Sequence, residues 1–103
     1  MTPPTAVIWS AEALEDLTGI HDFIARTSPR YAIVVAGRLV QAVRRLTEFP
    51  ESGRIVPELG DPAVREVIHG SYRIVYELRR DRIEILTVFR ASRQFPVLTR
   101  PDE

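Results

Sequence analysis

Arginine carries most of the chemical potential of this chain. All fourteen basic residues are arginine and none is lysine, so each cation is a permanently protonated planar donor. Such a group grips carboxylate or phosphate but cannot serve as a general base. Between Arg65 and Arg100 there are eight arginines against Glu66, Glu77, Asp81 and Glu84, within a chain whose formal net charge is zero. The C-terminal half is therefore locally basic, while the whole molecule has no long-range bias toward nucleic acid or anionic lipid.

Groups able to move a proton are few. His69 is the candidate in the C-terminal half, and the turn sequence His69-Gly70-Ser71 places it where a histidine ordinarily faces solvent. His21 lies between Ile20 and Asp22, with no second histidine at metal-ligand spacing. Glu15, Asp16 and Asp22 cluster early in a helical stretch, where acids complement the helix dipole and need no ligand. Cysteine is absent, which removes disulfides, thiolate catalysis and cysteine zinc sites. Gly-x-Ser-x-Gly, Walker and Gly-x-Gly-x-x-Gly sequences are also missing. No cofactor, metal or catalytic residue is assigned, and binding is the expected mode of action.

The elements that must position these residues follow from pattern. Thr5 to Trp9 reads as a short strand. Ser10 is an N-cap for a first helix ending near Thr27, with Leu14, Leu17, Ile20 and Ile24 as its apolar stripe. Trp9 and Leu14 are spaced for a hydrophobic staple across that cap. Ser28-Pro29 repeats the start signal, and Ala32, Val35, Leu39, Ala42, Leu46 and Phe49 form the seam of a second helix stopped by Pro50. The two helices make an antiparallel hairpin.

From Arg54 the period changes to two. A loop punctuated by Pro57, Gly60 and Pro62 leads to a strand from Val64 to Ile68. In the next strand Tyr72, Ile74, Tyr76 and Leu78 share one face, and Arg73, Val75 and Glu77 the other. After a charged turn at Arg79 to Arg82, Ile83, Ile85, Thr87 and Phe89 alternate with Glu84, Leu86, Val88 and Arg90. The short turns require antiparallel pairing.

The fold class is thus α+β: an N-terminal strand, a two-helix antiparallel hairpin, then a three- to four-stranded antiparallel sheet against the helices. Residues 1–103 form one domain, with apolar content of 45% and charged content of 27% suited to one modest core. In the tail, residues 91–103, Phe95, Val97 and Leu98 are either a last edge strand or apolar anchors for a partner. No apolar run approaches the roughly 20 residues that span a bilayer. Met1-Thr2-Pro3-Pro4-Thr5 lacks signal-peptide regions, so a cytoplasmic protein with no membrane partner is expected.

That order of elements accompanies a set of residues resembling the ParE branch of the RelE/ParE toxins. The set comprises Trp9, Ala13-Leu14-Glu15-Asp16-Leu17-Thr18-Gly19-Ile20, Phe23-Ile24-Ala25 and Ser28-Pro29 with Ala32. It continues through Leu46, Phe49-Pro50, Gly53-Arg54, Val56-Pro57-Glu58-Leu59 and Arg65-Glu66. It ends with Tyr72-Arg73-Ile74-Val75-Tyr76 and Ile83-Glu84-Ile85-Leu86-Thr87-Val88. The similarity spans about residues 7 to 90 and leaves the tail unmatched; order and spacing carry it, because no single motif is specific.

The resemblance implies the toxin of a type II toxin-antitoxin system, held inactive by a ParD-like antitoxin that wraps its helices and sheet. ParE-like members poison DNA gyrase, whereas RelE-like relatives cleave mRNA on the ribosome with basic residues and often a C-terminal tyrosine. Gyrase inhibition by binding is the first expectation, with no specific DNA binding. The alternatives are a ribosome-dependent mRNA endonuclease and a non-toxic antitoxin-binding module.

Arg73 matches a basic position of the nucleases, making it the leading candidate for a phosphate or target contact, with Arg65, Arg90 and Arg93 as possible neighbours. Its bland alternative is a solvated strand face paired with Glu77. Phe89 stands where the family often has a histidine. Phe95, Val97 and Leu98 are the candidate partner-binding residues.

Overall fold

The computed structural model describes residues 5–98. Its elements are β1 (Ala6–Trp9), α1 (Ala11–Ala25), α2 (Pro29–Arg44) with a 3-10 turn (Arg45–Thr47), β2 (Arg54–Ile55), β3 (Val64–His69), β4 (Tyr72–Leu78) and β5 (Arg82–Arg90). Both helices start where their capping serines predict. Ser10 accepts a hydrogen bond from the Ala13 N–H at 3.0 Å, and Ser28 accepts one from the Tyr31 N–H at 3.2 Å, satisfying donors that the helix itself leaves open.

The sheet is five-stranded and mixed, ordered β1-β5-β4-β3-β2. This enlarges the three- to four-stranded antiparallel sheet expected. Short turns do force β3, β4 and β5 into antiparallel pairs. They say nothing of β1, which is joined to the sheet only through the helical hairpin and pairs parallel with β5, Val7 opposite Ile83 and Trp9 opposite Ile85.

A core lies between the hairpin and one sheet face, built from Ala13, Val35, Leu39, Val43, Leu46, Ile74, Tyr76, Ile83, Ile85 and Val88. Two details differ from the periodicity. The α1 stripe begins at Ala13, because Leu14 remains 49% exposed while Trp9 packs on the core. In α2, Val43 is buried and Phe49 is out at 61% exposure; the helix tightens into a 3-10 turn after Arg44, which changes the phase at which residues face inward.

A second, smaller core sits on the other sheet face: Val56, Val64, Val75, Leu86 and Phe89, with Phe95 and Leu98 packed over it. The tail from Ala91 to Leu98 therefore crosses the sheet and contains no strand. The edge-strand reading fails because Phe95 and Leu98 bury their side chains on a face rather than pairing their backbone. Val97, between them, points into solvent.

Between β4 and β5 the pairing steps from Val75–Thr87 to Tyr76–Ile85, leaving Leu86 as an extra residue. Such a bulge reverses the alternation beyond it. Val88 consequently joins the helix-side core and Phe89 the outer one, opposite to the uninterrupted alternation. Neighbouring groups secure the irregularity. Ser10 Oγ donates to the Leu86 carbonyl at 3.1 Å, while Asp16 accepts from Thr87 Oγ1 at 2.6 Å and from the Val88 N–H at 3.1 Å. Because β1 ends opposite Ile85, the Val88 donor has no strand to meet, and Asp16 substitutes for one.

Candidate functional site

Arg73 projects from the middle of β4 into the outer core and is held on every side. Its Nε donates to Glu66 Oε1 at 2.6 Å, and its two terminal nitrogens donate to the Glu58 carboxylate at 2.8 and 2.7 Å. The guanidinium lies 5.3 Å from the ring centre of Phe89 and 5.1 Å from that of Phe95. Those rings meet edge to face, 5.5 Å apart. Cation–π geometry and a bidentate carboxylate thus act on one group. Glu66 has no exposed side-chain surface and also accepts from Arg54 Nε at 2.7 Å, so two arginines and two glutamates cancel.

Protonation equilibria reflect this closure. The hydrogen bond from Arg73 depresses the Glu58 carboxyl to about 2. The Arg73 guanidinium is pushed above its ordinary value, first by Glu58 and then by Glu66, against the opposing effect of burial. The expected pairing with Glu77 does not occur: Glu77 bonds to Arg79 at 2.9 Å, because Arg73 faces an acid that β3 and its preceding loop deliver closer. Glu66 is opposite Val75, and Arg73 opposite Ile68, which sets the two charged side chains diagonally on one face of the hairpin.

The four candidate arginines divide three ways. Arg65 fastens the loop after α2, donating to the Pro62 and Gly53 carbonyls at 3.2 and 3.1 Å. Arg73 belongs to the closed cluster. Arg90 and Arg93 come together at the far end of β5, where they line a cavity of about 410 Å³ with Glu15, Asp16, Ile20, Phe23 and Tyr72. Of the candidate partner residues, Phe95 and Leu98 are packed on the outer core and Val97 is exposed.

His69 pairs with Tyr72, a residue of the helix-side face, and lines grooves with Arg38, Ala42 and Arg45 of the α2 region. It therefore lies across the sheet from Arg73, and the structure does not bring that pair together. His21 bonds to Asp22 at 3.0 Å on the surface of α1. Among the described residues no group of three or more metal-ligating side chains is assembled, and no described helix is long and apolar enough to cross a membrane.

Several participants were not singled out by sequence. Glu58 and Glu66 carried the family resemblance without a role. A usable signal existed for Glu66: it alternates with Val64 on a buried strand face, and a carboxylate there requires a cation. Tyr76 is buried in the core, and its hydroxyl also stitches the loop, accepting from the Gly53 N–H at 2.9 Å and donating to the Pro50 carbonyl at 2.8 Å. Burial raises its pKa.

A second surface runs along α2 and the edge of β3. β2 pairs only with Arg65 and Glu66, leaving Val67 to His69 with no strand on that side. Adjoining cavities of about 580 and 550 Å³ are lined there by Phe49, Arg54 and Ile68 and by Val34, Arg38 and Gln41, with Ala42, Arg45 and His69 common to both.

Comparison with known proteins bears on this geometry. A family model described as "ParE toxin of type II toxin-antitoxin system, parDE" matches residues 7–95, which takes the match into the tail as far as Phe95. A Caulobacter vibrioides protein named Toxin RelE2 is 38% identical over 88 residues, covering 84% of this chain and 96% of its own length. Among solved structures, a chain of the chromosomal ParDE system of P. aeruginosa superposes with a TM-score of 0.70 at 22% identity, covering 84% of this chain and 95% of its own. A chain of the RelBE2 toxin-antitoxin complex of Mycobacterium tuberculosis gives 0.61 at 20% identity, covering 84% and 98%. At those identities the structural likeness speaks for the fold.

Proposed function

This chain belongs to the ParE toxin family of type II toxin-antitoxin systems, and from that premise we propose that it arrests cells by binding DNA gyrase and is silenced by an antitoxin made with it. The observation that carries the reading is the closure of the Arg73 cluster. An RNA-cleaving site must stabilise a pentacovalent phosphate and pass protons to and from its oxygens. Here the guanidinium nitrogens of Arg73 are engaged by Glu58 and Glu66 and the ring of Phe95 stands over them. His69 lies on the opposite sheet face. A phosphate entering would have to displace a bidentate carboxylate from a group that is 10% exposed. This supports action by grip rather than by catalysis.

The antitoxin finds complementary chemistry along α2 and β3. An amphipathic helix fits a groove rimmed by Val34, Phe49 and Ile68, and an extended segment can pair with the open β3 edge. Arg38 and Arg45 on that groove favour an acidic partner. Two structures of the same fold come from a ParDE toxin-antitoxin system and a RelBE2 toxin-antitoxin complex, which supports an antitoxin as the partner.

Expression of the chain in cells, with plasmid supercoiling and transcript integrity followed together, tests the reading. Gyrase-dependent loss of supercoiling with intact mRNA is the expected result. Prompt cleavage of translated mRNA would establish the endonuclease instead, and absence of growth arrest would establish a non-toxic antitoxin-binding module.

A further inference from the structure

The arginines of the sheet half divide into those already neutralised and those left open. Arg54 and Arg73 are held by Glu58 and Glu66, and Arg82 by Asp81 and Glu84. Arg90 and Arg93 are exposed and make no ion pair within the described residues. They stand on one rim of the cavity between α1 and the end of β5. The cavity also has an apolar and aromatic lining that includes Ile20, Tyr72 and a Phe23 that is 61% exposed. Glu15 and Asp16 also line it, and Asp16 is already committed to Thr87 and Val88.

We propose that this cavity is the surface with which the protein grips its target, and that its occupant is a protein segment carrying an apolar side chain beside a carboxylate. The inference deepens the gyrase-binding reading and rests on it for the identity of the target. The apolar occupant follows from Phe23, a large ring lining the cavity that stays 61% exposed although the Arg26 guanidinium lies 5.6 Å from its centre, and that becomes an anchor when desolvated by a partner. The carboxylate follows from two guanidiniums in the lining that have no ion pair among the described residues and whose planar forks match that group.

The acids in the cavity decide against nucleic acid. A duplex brings a negative charge about every 1.7 Å, and Glu15 and Asp16 would repel a backbone drawn to Arg90 and Arg93. A peptide brings a single carboxylate where a nucleic-acid backbone brings many, so it meets less of that repulsion. The location also separates the two proposed contacts: the target cavity lies on the α1–β5 side of the hairpin, and the antitoxin groove on the α2–β3 side.

The test compares the unaltered full chain with Arg90→Glu/Arg93→Glu and, separately, Phe23→Ala. All are scored for growth arrest on induction, for binding to purified gyrase, for binding to the antitoxin encoded beside the toxin, and for plasmid retention in a gel shift. Both variants should abolish growth arrest and weaken gyrase binding on the order of tenfold or more, while antitoxin binding and the thermal transition stay as in the unaltered chain.

Undiminished growth arrest in the double variant overturns the proposal. So does a parallel loss of antitoxin binding, which would make the cavity the antitoxin's. Plasmid retention by the unaltered chain that vanishes in the double variant would overturn the protein occupant in favour of nucleic acid. If the unaltered chain arrests growth without touching gyrase or supercoiling, and the variants lose arrest, the gyrase reading falls and the cavity assignment stands. A chain that inhibits gyrase equally with and without Arg90 and Arg93 keeps the gyrase reading and sinks the assignment. An unaltered chain causing no arrest sinks both.

Discussion

Arg73 on β4 and the Arg90/Arg93 pair, at the end of β5 and in the tail beyond it, are the same residue type, yet their surroundings give them opposite uses. At Arg73 a buried cation is surrounded by Glu58, Glu66, Phe89 and Phe95. At the end of β5 two cations line an open cavity, with no carboxylate among the described residues bound to either. The first arrangement answers a requirement of folding, since a charge removed from water needs compensation in place. The second leaves that compensation to come from outside. Residue type therefore says what an arginine can bind, and burial with local partners says whether it is still available.

The sharpest way to break this comparison is to remove Arg73. In Arg73→Ala, Glu66 stays fully buried with Arg54 as its remaining cation, and Glu58 loses its bidentate partner. Breaking a buried pair in this manner costs about 3–5 kcal/mol, read as a lowered denaturant midpoint. A variant as stable as the parent would show that Arg73 is an accessible contact group after all. Tyr76→Phe should come next. It deletes the hydroxyl that joins Gly53 to Pro50 and leaves a buried donor and an acceptor unmet, about 1–3 kcal/mol by the same measurement.

How much of this was legible beforehand depends on the range of the signal. Helix starts at Ser10 and Ser28 and the alternation of Tyr72, Ile74 and Tyr76 are local, and they appear where the residues place them. The parallel pairing of β1 with β5 joins segments about 75 residues apart, and no turn announces it. The bulge at Leu86 is likewise silent in a run of apolar residues, yet it decides that Phe89 faces Arg73 and Val88 faces the helices. Asp16 illustrates the same limit: its early helical position suffices for a dipole role, and its bonds to Thr87 and Val88 depend on that distant irregularity. Arg73 could be recognised as an anion binder, but naming its anions as Glu58 and Glu66 requires the hairpin register.

Acid titration sharpens the closed side of the comparison. The Glu58 carboxyl is depressed from 4.5 to about 2 by the Arg73 hydrogen bond. A group whose folded pKa is lowered contributes stability that is complete above its unfolded pKa and disappears as the pH falls through the folded value. The denaturant midpoint should therefore decline from about pH 5 toward pH 2, and Glu58→Gln should flatten that decline while lowering the midpoint at neutral pH. An unchanged acid profile in Glu58→Gln would mean that other carboxylates govern the transition.

The smallest expected change in stability falls on the open side, and there its smallness is the point. Arg90→Ala/Arg93→Ala removes two exposed side chains that hold no ion pair within the described residues, so the unfolding free energy should move by no more than about 0.5 kcal/mol for either. Salt should matter equally little, because screening acts on charge pairs and these cations have no partner to screen among the described residues. A loss of several times that size would place Arg90 or Arg93 in the folding network beside Arg73. Near-neutral unfolding leaves their interactions to be made with another molecule, which is the circumstance a gripping surface needs and a buried cluster cannot supply.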